Sequence, residues 1–405
     1  VLEQWTDAKA DTLSLAEANL VLNFGHSADM LAKDGEMSVN SLLTKKLADM
    51  VRKLDATRPV TAGCNEPNPN NHLFRSGALD IIGFNYHDDW FAGVPVNFPG
   101  KPFIVTESVS GLMTRGYYRM PSDSMFIWPE RWDKPFYDAS FSCSSYDNCH
   151  VPWGNRHEGT MRHVKNNDFI SGQYVWTGFD YIGEPTPYGW PARSSYFGII
   201  DLAGFPKDVY YMYQSEWRPD KAVLHLFPHW NWTEGQDIDL WAYYNNADEV
   251  ELFVNGKSQG VRSKGKDDFH VMWRVKYEPG TVKAVSRKEG KTVAEQEIRT
   301  AGEPAQIRLS PDRSTIQADG KDLSFITVEI LDKDGNLCPN AENDVTFAGV
   351  DNGSPISMEK FKDNHRKTFY GKCLVVLQNN GEPGGVKVTA TADGLEKATT
   401  AIKVK

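Results

Sequence analysis

The chain is poor in cysteine, has no long apolar run and carries no excess of positive charge. Five cysteines in 405 residues are too few for a disulfide-stapled scaffold. No stretch approaches the roughly 18 consecutive apolar residues of a membrane-spanning helix. Lysine and arginine total 44 against 54 aspartate and glutamate, a formal net charge of −10. Binding to a phosphate backbone needs a basic face, which argues against nucleic acid as a partner. Tryptophan is absent after Trp273, although all 12 lie between Trp5 and that point, so the C-terminal part differs in kind from the rest. The start, Val1-Leu2-Glu3-Gln4-Trp5, has no initiator methionine, basic n-region or signal-peptide apolar core. It reads as cut from a longer chain, or as a processed N-terminus.

What is present is ordinary for a globular protein: 40% hydrophobic and 24% charged residues. The length sets a prior of two to four domains. Three segments differ in pattern. In 1–218, Leu43, Leu47, Met50, Val51 and Leu54 recur at helical period, predicting a helix over 38–55 with Ser38 as its N-cap. Four apolar runs follow: 59–62, 79–84, 103–106 and 169–176. They do not alternate in polarity, as expected of parallel strands buried on both faces. Polar or aromatic residues end these runs, including Asn85-Tyr86-His87, Glu107-Ser108 and Trp176-Thr177. An α/β barrel places its chemistry at such strand ends, but it needs eight strands. The expectation is therefore the C-terminal half of such a barrel.

Segment 219–302 alternates apolar and polar residues in short runs, and Asn255-Gly256 is a strong hairpin-turn signal. Segment 303–405 has similar runs separated by Asp, Gly and Asn. Two all-β sandwiches are predicted, the last immunoglobulin-like.

Several motifs occur in a fixed order: Asp55-x-Thr-Arg-Pro-Val60, Asp80-Ile-Ile-Gly-Phe-Asn-Tyr86, Lys101-Pro-Phe-Ile-Val-Thr-Glu107, Gly172-x-x-x-Trp176-Thr-Gly-Phe-Asp180-Tyr181 and Gly198-Ile-Ile-Asp201-x-x-Gly204-x-Pro-Lys207. The set resembles the C-terminal half of the catalytic barrel of glycoside hydrolase family 2, β-galactosidase-like. Ala247–Gly256 resembles the module that follows the barrel in such enzymes, and the last segment resembles a bacterial Ig-like domain. The resemblance implies a retaining exo-β-glycosidase that acts on terminal β-linked sugars, most readily β-galactosides, through two carboxylates. It implies Glu107 as nucleophile and Tyr86 as the tyrosine that donates to it. Trp176 would form the floor of the sugar site. Asp180 and Tyr181 would meet sugar hydroxyls, with Asn85 and His87 as weaker candidates. No cofactor is needed for that mechanism, and the expected partner is carbohydrate. Ig-like tails imply a periplasmic or cell-surface location.

The acid/base of this family is the Glu of an Asn-Glu pair ending the fourth barrel strand. Asn65-Glu66 imitates it but follows the run that matches the fifth strand, so Glu66 reads as a loop residue. Val1–Trp5 resembles the sequence just after the pair. The expectation is a fragment that begins beyond its own acid/base and is inactive alone. Asn-x-Lys, which holds the uronate in family glucuronidases, occurs only as Asn255-Gly-Lys257, which favours galactose over glucuronate and leaves mannose open.

Other features have blander readings. Trp90, Trp128, Trp132, Trp153 and Trp190 could line subsites or only pack loops. Asp332-Lys-Asp-Gly-Asn336 has calcium-loop spacing for its first ligands but lacks the distal Glu, so a tight turn is expected. Cys143 and Cys149 could pair or remain free thiols. Two rival readings are a non-catalytic carbohydrate-binding surface protein and an adhesive pair of sandwiches.

Overall fold

The computed structural model describes residues 39–131, 134, 136–351, 354–355, 365–379 and 381–405. Val1–Trp5, Ser38 and Trp132 therefore lie outside the described residues. The chain divides into two compact units. One comprises Val1–Met113 with Met125–Ile199, and the other Thr114–Ser124 with Ile200–Lys405.

In the first unit, helix α1 (Val39–Leu54) is followed by the single turn α2 (His72–Arg75). The predicted helix forms, but its expected core stripe does not face a core among the described residues. Leu43, Leu47, Met50, Val51 and Leu54 are exposed, while Ser41, Thr44 and Ala48 are buried. The small side chains permit close approach to α2, and Ser41 Oγ donates to the His72 carbonyl at 2.9 Å. Arg52 donates to both Asp80 oxygens at 3.0 Å, and Asp80 accepts from the Val60 amide at 2.8 Å. The Arg58-Pro59-Val60 region is thereby tied to the segment that enters the sheet.

Three of the four predicted strands pair. β1 (Ile82–Asn85), β2 (Phe103–Val109) and β5 (Ile170–Trp176) form a parallel sheet in the order β1-β2-β5. The run at 59–62 is a correction: it forms no strand. The Val60 carbonyl instead accepts from the Asp80 and Ile81 amides, a local clamp rather than a ladder. Phe84, Phe98 and Phe103 pack under the sheet, with ring centroids 4.9 Å apart for Phe84–Phe103 and 6.0 Å for Phe84–Phe98. Edge-on aromatic packing of this kind fixes ring orientation as well as burying area. Between β2 and β5 lie the short pair β3 (Phe126–Ile127) and β4 (Cys149–His150) and the helix α3 (His157–Lys165). Cys143 and Cys149 are both buried free thiols.

The second unit contains a helix (Asp208–Trp217) and two sandwiches. In the first sandwich, one sheet has the order β10 (His270–Lys276), β7 (Asp237–Tyr244), β6 (Leu224–Phe227). The other runs β12 (Lys291–Arg299), β11 (Thr281–Lys288), β8 (Glu249–Val254), β9 (Lys257–Arg262). Leu226, Trp230, Leu240, Leu252, Trp273 and Ala284 share the core between them. The predicted hairpin turn is present. Asn255 and Gly256 have φ of 49° and 77°, the left-handed pair that joins two twisted strands. Asn255-Gly256 is thus the turn, and Lys257 begins β9.

The last sandwich pairs β13 (Gln306–Pro311), β14 (Leu323–Leu331) and β16 (Lys372–Gln378) in one sheet. The other is built on β15 (Asp344–Asp351), β17 (Gly384–Thr391) and β18 (Ala398–Val404). Strand alternation was readable here because each sheet has one buried face. The Asp332–Asn336 loop is a turn. The Asp332 carboxylate accepts from the amides of Asp334 (2.9 Å), Asn336 (2.8 Å) and Gly302 (2.9 Å) and from Asn336 Nδ2 (3.0 Å). Burial pushes its carboxyl up, but these donors outweigh burial and hold it at about 2, against 3.8 ordinarily. A depressed carboxyl contributes stability above the unfolded value that is lost as pH falls through the folded one. Asp332→Asn should therefore lower the thermal midpoint at neutral pH, with the gap closing as pH drops from near 4 to near 2. A gap independent of pH would show that the charge is not its source.

Candidate active site

The site is built at the C-terminal edge of the parallel sheet. Asn85 lies opposite Glu107 in the β1–β2 register, and Val109 opposite Trp176 in the β2–β5 register. Parallel pairing thus brings the ends of three apolar runs together although they are far apart in sequence.

Glu107 is half-buried and receives two side-chain donors. Asn85 Nδ2 donates to Oε1 at 3.1 Å and Tyr86 Oη to Oε2 at 3.0 Å. Each donor is itself aimed. Thr106 Oγ1 donates to Asn85 Oδ1 at 2.8 Å, which turns the amide so that its nitrogen faces Glu107. Ser110 Oγ donates to Tyr86 Oη at 3.0 Å, leaving the tyrosine proton for Glu107. Tyr86 and His87 have φ of 56° and 55°. This left-handed pair turns the chain sharply after β1, and the Tyr86 amide bonds the Glu107 carbonyl at 2.7 Å. Non-glycine residues held in that region are uncommon and mark sites that surrounding contacts over-determine.

The electrostatics follow from these contacts. Burial pushes the Glu107 carboxyl above the usual carboxylate range; the Tyr86 and Asn85 hydrogen bonds pull it back, and the negative charge of Glu184 pushes it up again. Tyr86 is held protonated far above the ordinary tyrosine range, chiefly by burial. It is therefore a permanent donor. A carboxylate with two fixed donors and a partly dry setting is suited to act as an ionised nucleophile.

Of the predicted residues, Glu107, Tyr86 and Asn85 form one hydrogen-bonded cluster. Trp176 stands at the end of the adjacent strand, and Tyr181 packs edge-on against it with centroids 6.0 Å apart. The Trp176–Thr177 peptide is cis. Asp180 Oδ1 accepts from the Gly198 amide at 2.8 Å, so this carboxylate helps hold the loop. His87 is exposed and makes no side-chain cap to the turn that it precedes. Glu66 lies in a loop, as expected, where Oε1 accepts from the Asn68 amide at 3.4 Å.

Sequence reasoning missed Ser110 and Glu184, and did not assign Thr106 its role. Glu184 is exposed and accepts from the Tyr181 hydroxyl. Its place in Gly183-Glu-Pro185 gave only a turn signal. Among the described residues, no group of three or more His, Cys, Asp or Glu could hold a metal.

Residues 307–401 match the model of the glycoside hydrolase family 2 C-terminal domain 5, and 235–294 match a domain of unknown function. The whole chain is 72% identical over 413 aligned residues to the β-galactosidase BoGH2A of Bacteroides ovatus, covering 48% of that protein. It is similar to the crystal structure of a β-glycosidase from Bacteroides vulgatus, with a TM-score of 0.76 and 31% identity over 90% of this chain and 49% of that one. A β-glucuronidase of Formosa agariphila is 29% identical over 51% of this chain and 22% of its own length. The chain spans about half the length of the first two of these relatives.

Proposed function

The chain belongs to glycoside hydrolase family 2, β-galactosidase-like, and we propose that its Glu107 cluster is the nucleophile side of a retaining exo-β-galactosidase. The observation that carries this reading is the pair of aimed donors on a partly buried carboxylate at a parallel-strand end. In the proposed first step a Glu107 oxygen bonds to the anomeric carbon as the glycosidic C–O bond breaks. The leaving oxygen takes its proton from a second carboxylate. In the second step water adds to the same carbon, loses its proton to that second carboxylate, and the bond to Glu107 breaks. Asn85 and Tyr86 release and re-form their hydrogen bonds to Glu107 as its charge is lost and regained. Trp176 offers a ring face to the C–H face of the sugar. In this reading the parallel sheet is part of a (β/α)8 barrel, whose chemistry sits at the C-terminal strand ends.

The test is covalent trapping of the intact protein with 2,4-dinitrophenyl 2-deoxy-2-fluoro-β-galactoside, followed by peptide mass spectrometry. A label on Glu107 is expected. A label on another carboxylate, or labelling only by the corresponding glucuronide, would overturn the nucleophile or the sugar respectively.

Glu184 supplies a pH test. A nucleophile works ionised, so kcat/KM falls on the acid side as Glu107 takes up a proton. Glu184→Gln removes a negative neighbour and lowers the Glu107 pKa. The acid limb of the kcat/KM profile should therefore move to lower pH. An unmoved limb would mean that the Glu184 charge does not reach Glu107.

A further inference from the structure

Two left-handed turns stand beside Glu107. One is Tyr86-His87, after β1. The other is Val109-Ser110, where β2 ends just past Glu107, with φ of 77° and 58°. Positive φ in a β-branched valine is a genuine outlier, held only where surrounding contacts over-determine it. Each turn carries part of the machinery around the carboxylate. The first supplies the Tyr86 hydroxyl that donates to Glu107. The second supplies Ser110 Oγ, which donates to that hydroxyl at 3.0 Å. Whatever holds the two turns together therefore decides where the Tyr86 proton points.

Asn155, remote in sequence from both turns, reaches each of them. Its backbone N–H donates to the Val109 carbonyl at 2.7 Å. Its side-chain Nδ2 donates to Asp88 Oδ2 at 2.6 Å, and Asp88 directly follows His87. Its Oδ1 accepts from the Arg156 amide at 2.8 Å, which keeps the nitrogen turned towards Asp88. Asparagine suits this place because its amide offers a donor and an acceptor, and both are used. Aspartate would set a second carboxylate against Asp88, and alanine would remove the donor.

The surroundings are shaped to hold Asn155 there. A Cβ on Gly154 would fall 2.2 Å from the Val109 carbonyl oxygen, and one on Gly159 would fall 2.5 Å from Asn155 Oδ1. Only glycine allows either approach. The helix that follows is fixed at its start, because the buried Asp147 carboxylate accepts from the His157 amide at 2.8 Å and the Glu158 amide at 2.7 Å. From the first turn of that helix, α3, Thr160 Oγ1 donates to the same Asp88 oxygen at 3.2 Å. Asn155 is thus a rigid link between two strained turns, not a side chain that found a partner by chance.

Resting on the reading of Glu107 as nucleophile, we propose that Asn155 is a positioning residue for the glycosidase reaction. By pinning the Val109-Ser110 turn to the Tyr86-His87 turn it keeps the Tyr86 hydroxyl aimed at Glu107. Asn155→Ala in the intact protein frees one turn from the other without adding charge. Labelling of Glu107 by 2,4-dinitrophenyl 2-deoxy-2-fluoro-β-galactoside should slow by about tenfold or more. Its acid limb should move to higher pH, because an aimed Tyr86 proton favours the ionised carboxylate. In the Tyr86→Phe protein the same substitution should change neither rate nor limb. A loss that persists undiminished without the Tyr86 hydroxyl, or no loss in its presence, overturns the assignment. Should Asn155→Ala fail to fold, Asn155→Asp carries the test. It should slow labelling, and adding Asp88→Asn, which exchanges donor and acceptor, should restore most of the rate; no restoration overturns the link. A second readout needs no sugar. With tyrosine labelled by ¹³C at Cζ, the Tyr86 resonance, identified by its loss in Tyr86→Phe, should follow the protonation of Glu107. In Asn155→Ala that response should be lost, and an equal response in both proteins overturns the positioning role. A wild-type Tyr86 resonance that responds, in a protein that never takes label at Glu107, would instead strike the nucleophile reading.

Discussion

Glu107→Gly should lower turnover of 2,4-dinitrophenyl β-galactoside by about 10⁴-fold or more, the scale on which removal of a catalytic nucleophile is felt. The substituted protein should still fold, because the side chain is only partly buried and its removal leaves donors that water can satisfy. The informative result comes on adding azide. Removing the carboxyethyl side chain opens a space beside Asn85 Nδ2 and Tyr86 Oη, two donors suited to a small anion. Azide placed there adds to the anomeric carbon from the face opposite the departing dinitrophenolate. One C–N bond forms, the C–O bond breaks, and the product is the α-galactosyl azide. Recovery of much of the lost rate, with an α product identified by NMR, is expected. A β-azide would mean that the attack comes from the other face and that Glu107 is not the nucleophile. No rescue, in a variant whose fold is intact by circular dichroism, would place the reaction elsewhere.

What was legible in the sequence follows from how far each role reaches along the chain. The sandwiches could be read because strand alternation and the Asn255-Gly256 turn are local signals. Glu107, Tyr86 and Asn85 could be found because they end apolar runs and match an ordered motif set. Thr106 and Ser110 orient Asn85 and Tyr86 across 21 and 24 residues of chain, and no local pattern announces such a contact. Glu184 acts through charge rather than contact with Glu107, and its sequence context reads as an ordinary turn. The α1 stripe shows the reverse failure. Period alone picked Leu43, Leu47 and Leu54, but the face buried among the described residues is the small one, Ser41, Thr44 and Ala48. The run at 59–62 misled for a related reason. It is apolar enough for a strand, yet its backbone groups are taken by the Asp80 clamp. Asp80, part of the motif set, thus holds the scaffold.

Tyr86→Phe removes one of the two donors on Glu107 while keeping the ring and its packing. Loss of a single aimed donor at a developing or departing charge typically costs about 10²–10³ in kcat, and that loss is expected here. The donor is needed most when Glu107 leaves the anomeric carbon as a carboxylate, so deglycosylation should suffer and the glycosyl-enzyme should accumulate. Rapid-quench mass spectrometry would then find a larger labelled fraction at steady state than in the wild type, with KM lowered alongside kcat. The pH profile adds a sign that mere disorder of the site would not reproduce. The Tyr86 hydrogen bond lowers the Glu107 pKa, so its removal should move the acid limb of kcat/KM to higher pH. Glu184→Gln should move the same limb to lower pH, and the double variant should fall between the two. Shifts of the same sign would show that neither residue acts through the charge on Glu107. Opposite shifts would tie both to that carboxyl, one by donation and one by repulsion.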